Sequence, residues 1–117
     1  LIPGDLEGKA EAELLARHGA EIRSDVLVAP HHGGKKTASP AFVAAVGASE
    51  VIFPVGYRNR FGHPHPDVLA RFAPARIHRT DAHGAVRFVR DENGYRAEHV
   101  REERRRYWQN TTFETPE

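Results

Sequence analysis

The chain has no cysteine, which excludes a disulfide framework and a thiolate metal site and leaves its redox compartment open. It has no apolar run near the ~20 residues that cross a bilayer, and its first residues lack a basic segment followed by a cleavable apolar stretch, so this piece is expected to be soluble. It has little excess charge. Seventeen Lys and Arg stand against sixteen Asp and Glu, a formal net charge of +1, so attraction to a polyanion has to come from local clusters. It is also short of apolar residues, at 39% against the ~45–50% of globular chains. At 117 residues that implies one domain, or part of one, around a small core. What the chain does have is eight histidines, which add positive charge as the pH falls.

Leu1-Ile2-Pro3 reads as the last part of a buried strand, and the chain is expected to be cut from something longer. Gly8 to His18 has helical spacing, with Ala10, Leu14 and Leu15 on one face and Gly19 where a left-handed C-terminal cap belongs. Val26 to Ala29 is apolar and β-branched, as in a strand buried on both faces. Ser39-Pro40 starts a helix, with Ser as N-cap and Pro at the first helical position, and Gly47 stops it. Val51 to Val55 is the next strand. Residues 56–66 are too rich in Gly and Pro for regular structure and form a surface loop, after which Pro66 opens a helix over Asp67 to Phe72. A strand near Arg76 to Arg79 and a turn around Asp81 to Gly84 follow. Ala85 to Val89 and Tyr95 to Val100 are strands of a hairpin turning at Asp91-Glu92-Asn93-Gly94. Strands alternating with helices predict an α/β layered domain over residues 1–100. Residues 101–117 are a basic helix, Arg101 to Tyr107, with a polar tail.

The chemistry concentrates where strands end. Asp5 follows an apolar segment, and His31-His32 closes the strand at Val26 with Gly33-Gly34 leaving room for close approach to the backbone. Imidazole and carboxylate are the usual nitrogen and oxygen ligands of Zn²⁺ and similar ions, and one strand-helix-strand unit separates the two edges. The plainer readings are that Asp5 caps the following helix and that one histidine of the doublet is structural. Lys35 and Lys36 lead to the helix at Pro40, whose free N–H groups suit an anionic oxygen, unless this is only a solvated loop. Arg58, Asn59, Arg60, Phe61, His63 and His65 combine cations, an aromatic face and imidazoles in a mixture suited to phosphate contact and base stacking. A rigid turn explains the prolines there but not the donors. The two acids in Arg101 to Trp108 favour an ordinary solvated helix over a nucleic-acid patch.

Taken together, Gly4-Asp5, Pro30-His31-His32-Gly33, Ser39-Pro40, Val55-Gly56 with Asn59-Arg60-Phe61-Gly62-His63-Pro64-His65-Pro66, and Arg79-Thr80-Asp81 before Gly84-Ala85-Val86 resemble the C-terminal metallo-β-lactamase-like domain of the ComEC/Rec2 competence family. The resemblance covers Leu1 to about Val89 and much of the basic tail. It implies an α/β fold, the C-terminal half of a four-layered αβ/βα sandwich, with one or two divalent ions, Zn²⁺ or Mn²⁺. It implies phosphodiester hydrolysis of DNA during uptake, by a soluble domain of a bacterial inner-membrane protein. In that scheme Asp5 and His31 hold metal and His32 moves a proton. Lys35, Lys36, Arg58, Asn59, Arg60, His63 and His65 bind substrate. The partners implied are single-stranded DNA, an upstream half of the same domain, a membrane channel, and a second copy where the sheet is left open.

Two departures bear on this. Family members usually carry Thr at the position of Pro3 and Ser at that of Gly34. The family's main metal motif, H-x-H-x-D-H, does not occur in this sequence. The chain is therefore expected to hold about half the ligands of a site, to bind metal weakly, and to lack nuclease activity by itself. A non-catalytic module guiding single-stranded DNA and a small-molecule hydrolase of the same fold are the alternatives.

Overall fold

A computed structural model describes residues 1–103. The predicted polar tail and most of the predicted basic helix lie outside the described residues. The strands β1 (Val26–Val28), β2 (Glu50–Phe53) and β3 (Arg76–Arg79) form a parallel sheet in the order β1-β2-β3. Val26, Leu27 and Val28 face Glu50, Val51 and Ile52, and Val51 in turn faces Ile77. Parallel neighbours need crossover connections. The helices α2 (Pro40–Val46) and α3 (Pro66–Arg71) supply them, while α1 (Gly8–His18) precedes β1 and packs on α2. The core is small, as the composition implies: Leu27, Phe42, Val46, Val51, Phe53 and Val68 are wholly buried. Phe53 meets Phe72 edge to face, with 5.7 Å between ring centroids.

Several predicted elements form with their predicted chemistry. The α1 helix has the bounds read from its spacing. Ser39 accepts a hydrogen bond from the Phe42 N–H at 3.2 Å, and Gly47 closes α2 in the left-handed conformation. Others are corrected. Gly19 stands at the C-cap of α1 but is right-handed (φ −52°, ψ −36°), not left-handed; a Cβ there would stand 2.6 Å from the Leu15 carbonyl oxygen, so close approach is what requires glycine. In β1 only Leu27 is fully buried and its two valines are half-buried. The expected strand at Leu1 to Pro3 shrinks to one residue. The Leu1 amino group donates to the Val26 carbonyl at 2.9 Å and the Leu1 carbonyl accepts from the Val28 N–H at 3.0 Å, after which Ile2 is 80% exposed. The turn at Asp81 is a single helical turn, α4 (Thr80–His83). The Thr80 hydroxyl ties this turn to β2, donating to the Val55 carbonyl at 2.7 Å and accepting from its N–H at 2.8 Å.

The buried residue of α1 is Glu11, while Ala10, assigned to the apolar face, is exposed. The Glu11 carboxylate accepts from the backbone N–H groups of Ala38 and Ser39, each at 2.8 Å. It thereby anchors the two residues that lead into α2, next to the turn that carries Lys35 and Lys36. Arg71 of α3 grips the same segment from the other side through the Thr37 and Ala38 carbonyls, at 3.2 and 3.3 Å. These contacts hold Ala38 in a left-handed conformation, φ +52°, that its side chain disfavours.

The last strands, β4 (Val86–Asp91) and β5 (Gly94–His99), pair antiparallel from Val86 opposite His99 to Asp91 opposite Gly94, giving the predicted hairpin. Its outer face carries Glu98 between Arg87 and Arg96, and hydrogen bonds from these two guanidinium groups, Arg87 first, hold the Glu98 carboxyl below the usual carboxylate range. A final turn, α5 (Val100–Glu103), follows. The described residues thus make a small mixed α/β domain with a parallel sheet and a separate antiparallel hairpin.

Because Glu11 satisfies two N–H groups at a helix start, Glu11→Ala is expected to destabilise the chain by about 2–3 kcal/mol, and Glu11→Gln, which keeps one acceptor, by roughly half that. Urea denaturation measures both, and an unchanged midpoint in Glu11→Ala would contradict the assignment.

Candidate functional site

The site grows from the end of β1. Ala29 donates to the Ile52 carbonyl at 2.8 Å, and the chain then enters a tight turn over Pro30–Gly33. His31 (φ +44°, ψ +49°) and His32 (φ +58°, ψ +17°) are both left-handed, as is Gly33 at φ +78°. Two successive non-glycine residues in this region cost of order 1–3 kcal/mol each, and such strain persists only where surrounding structure enforces it. Three hydrogen bonds enforce it. The His31 N–H reaches the Gly4 carbonyl at 2.9 Å, the Gly34 N–H reaches His31 at 3.0 Å, and the His65 N–H reaches Gly33 at 2.9 Å. Gly33 admits no other residue, since a Cβ would lie 2.7 Å from the Phe53 ring and 2.8 Å from Pro64.

This turn gathers three imidazoles. The ring centroids of His31 and His32 are 6.0 Å apart, those of His31 and His63 6.3 Å, and those of His32 and His63 6.4 Å. The Nδ1 of His31 lies 2.9 Å from Glu7 Oε2, and the Nδ1 of His32 lies 2.6 Å from the Pro54 carbonyl oxygen. Both oxygens are acceptors, so each Nδ1 carries a proton and each neutral ring keeps its lone pair on Nε2. A carboxylate or carbonyl behind Nδ1 is the arrangement that orients metal-ligating and proton-transferring histidines. Glu7 was missed by the sequence reading. It sits two residues beyond Asp5 at the start of α1, and nothing local distinguishes the two acids until the Gly4–His31 bond fixes which reaches the ring.

Asp5 is exposed, and its carboxylate makes no hydrogen bond or ion pair among the described residues; nor does it cap α1, whose N-cap is Glu7. Lys35 and Lys36 are exposed on the turn before α2. The 56–66 loop is held by Asn59, whose amide donates to the His63 carbonyl at 2.7 Å and accepts from the His63 N–H at 2.9 Å. Asn59 therefore presents His63 to the doublet. His65 caps α3, its Nδ1 accepting from the Asp67 N–H at 3.2 Å. Arg58 lies over Tyr57 and Arg60 over Phe61, with 5.2 and 5.0 Å from guanidinium carbon to ring centroid, and Phe61 in turn stacks on His63 at 5.7 Å. Beside His63 and Arg58 a cavity of about 830 Å³ runs along Pro64, Leu69 and Ile77.

Among the described residues no three His, Asp or Glu side chains are gathered to hold a metal ion. The supports behind Nδ1 leave Nε2 of His31 and of His32 as the atom able to accept a proton or a cation. A Cβ at Gly34 would stand 3.4 Å from His63 Nε2, so serine at this position would set a hydroxyl beside that ring.

Set beside known proteins, the chain is 34% identical over 116 residues, 97% of its length, to the competence protein ComA of Neisseria gonorrhoeae. It is 32% identical over 90 residues, 75% of its length, to the ComE operon protein 3 of Bacillus subtilis. The chain is similar to a segment of two competence proteins. It spans 17% of the first and 12% of the second. No family model matches the chain, and no solved structure does. Among the described residues no helix is long and apolar enough to cross a membrane.

Burial, and then the charges of His31, His32 and His65, hold the His63 pKa below its ordinary value. The unfolded chain, with His63 near pH 6.5, then binds more protons than the folded one as the medium acidifies. Stability is unaffected well above that pH, declines as pH falls through it, and levels off below the folded pKa. Urea midpoints are expected to fall less between about pH 7.5 and about pH 5.5 in His63→Gln than in the parent. An equal fall in both would show that His63 is not the group responsible.

Proposed function

We propose that this chain is part of a DNA-handling domain of a competence-related protein of the ComEC family, in which the His31-His32-His63 cluster faces a phosphodiester. The observation that carries this reading is the cluster itself: imidazoles turned together by a strained backbone, two of them with Nδ1 fixed by Glu7 and Pro54, beside a loop of paired cations and aromatics. Neutral imidazole Nε2 atoms accept a proton or a divalent ion, and Arg58 and Arg60 on aromatic faces suit phosphates flanked by unstacked bases. The similarity to two competence proteins over most of the chain supports the same setting, competence and DNA uptake.

On this reading the fold is part of a metallo-β-lactamase-like sandwich, and the reaction of the whole domain is hydrolysis of DNA. A Zn²⁺ or Mn²⁺ ion would take His31 and His32 through Nε2. It needs about four ligands, so the described residues fit part of a centre and not a whole one. The cations laid on aromatic faces, Arg58 over Tyr57 and Arg60 over Phe61, support a second reading, a module that binds single-stranded DNA without cutting it.

DNA binding is common to both readings and is tested first. Fluorescence anisotropy with labelled single strands should give an affinity that falls with salt at a log-log slope of about −3 if Lys35, Lys36, Arg58 and Arg60 each neutralise a phosphate. Replacing all four by Ala should flatten the slope towards zero. Absence of binding at low salt, or an unchanged slope in the variant, would overturn the proposal. Hydrolysis of the bound strand with Mn²⁺ or Zn²⁺, lost in His31→Ala/His32→Ala, would favour the enzyme over the binding module.

A further inference from the structure

A second group of histidines lies away from this site, between the hairpin and the parallel sheet. The hairpin is a two-stranded sheet of its own, and such a unit is marginal in water without something to pack on. A row of titratable side chains joins it to β2 and β3. His78 on β3, only 2% exposed, donates from Nε2 to the Glu50 carboxylate on β2 at 2.6 Å. The Nδ1 of His78 lies 2.8 Å from Nε2 of His99 on β5. His99 stacks on His83 of α4 with centroids 4.1 Å apart, and His83 Nδ1 accepts the Arg79 backbone N–H at 3.1 Å. The His78 ring also meets Phe88 of β4 edge-on at 5.2 Å.

The 2.8 Å contact between His78 Nδ1 and His99 Nε2 has room for one proton between the two rings. With Nε2 of His78 donating to Glu50, a neutral His78 offers a lone pair at Nδ1 and His99 donates to it. One added proton is accommodated, because an imidazolium at His78 donates both to Glu50 and to a neutral His99. A second proton is not, because two imidazolium rings would set N–H against N–H across the same 2.8 Å. Protonation of His83 fails in the same way, opposing its Nδ1–H to the Arg79 N–H and stacking a cation on His99.

The charged groups around the row are engaged with partners of their own. Arg101 of α5 lies against the Asp81 and Ala82 carbonyls, and Arg79 is paired with Asp81 at 2.8 Å. Glu50 is shared with Arg76 at 3.5 Å. Glu98, next to His99, is held charged by Arg87 and Arg96 and does not titrate in the range where histidines do.

We propose that Glu50, His78, His99 and His83 form an acid-released latch: neutral imidazoles hold the β4–β5 hairpin on the parallel sheet, and uptake of a second proton frees the hairpin while the sheet stays folded.

Hydrogen exchange of the 117-residue chain, read by mass spectrometry and corrected for the intrinsic pH dependence of exchange, tests this at about pH 7.5 and about pH 5. Amides of residues 86–99 are expected to lose at least about tenfold more protection than those of β1, β2 and β3. In His99→Gln/His83→Asn the amide groups reproduce the Nε2 donor and the Nδ1 acceptor without titrating, and the extra loss is expected to vanish. In His78→Leu the hairpin is expected to exchange freely at both pH values. Equal protection of the hairpin at the two pH values would overturn the latch, and so would loss of sheet and hairpin in step. A sheet already unprotected at the higher pH would also overturn it. Should the double variant fail to fold, the comparison within the parent chain still decides.

Discussion

The turn at Pro30–Gly33 is the constraint on which the candidate site depends. Its two left-handed histidines are unfavourable taken alone, and they persist because three neighbouring segments hydrogen-bond to this one turn: Gly4 before α1, Gly34 after it, and His65 at the head of α3. Each of those bonds also orders the segment that makes it. The Gly4 bond brings the start of α1, and with it Glu7, against His31; the His65 bond brings the 56–66 loop, and with it His63, against His32. A relaxed turn would separate the three rings. The strain is therefore coupled to the assembly of the site, and the sheet beneath, through Phe53 against Gly33, sets the floor on which the turn rests.

Among the described residues buried charge is handled in one way: each buried ionisable group has its partners. Glu11 meets two backbone N–H groups at the start of α2, Asp81 meets Arg79, and His78 lies between Glu50 and His99. Among the described residues no buried side-chain polar atom lacks a hydrogen bond. With an apolar core of this size, such contacts contribute to holding the elements together, and they also make parts of the fold responsive to protons. Two histidine groups result, with different characters. The cluster at His31 is half-exposed and aims nitrogen lone pairs away from its supports, as a binding site does. The cluster at His78 is buried at His78 itself and half-buried at His83 and His99, and its hydrogen bonds join β2, β3 and β5, as a joint does.

Much of the local structure was legible from the residues. The bounds of α1 and β3, the Ser39 and Gly47 caps, the helix opened by Pro66 and the hairpin at Asp91 to Gly94 all depend on short-range preferences that a few residues carry. The tight turn after β1 was legible from the two glycines that follow the His31-His32 doublet, but not their role: they read as room for a ligand, and Phe53, Pro64 and His63 occupy that space.

Tertiary structure decided everything that depends on which segments meet. Sequence order singled out Asp5 as a metal ligand and gave no sign that Glu7, two residues on, would be the acid on His31 Nδ1. Helical spacing placed Ala10 inward, but the desolvated N–H groups of Ala38 and Ser39 needed an acceptor and drew Glu11 in instead. Asn59 and His65 read as substrate donors, and the structure gives them a further part that sequence did not show: the Asn59 amide braces the loop and His65 Nδ1 caps α3. His78, His83 and His99 carry no motif at all and become a connected row only when β3, α4 and β5 are stacked. Local sequence settles turns, caps and spacing because those energies act within a few residues of one another. Which acid, amide or imidazole ends beside another is set by long-range packing, where satisfying a buried polar group outweighs the preference of any single residue.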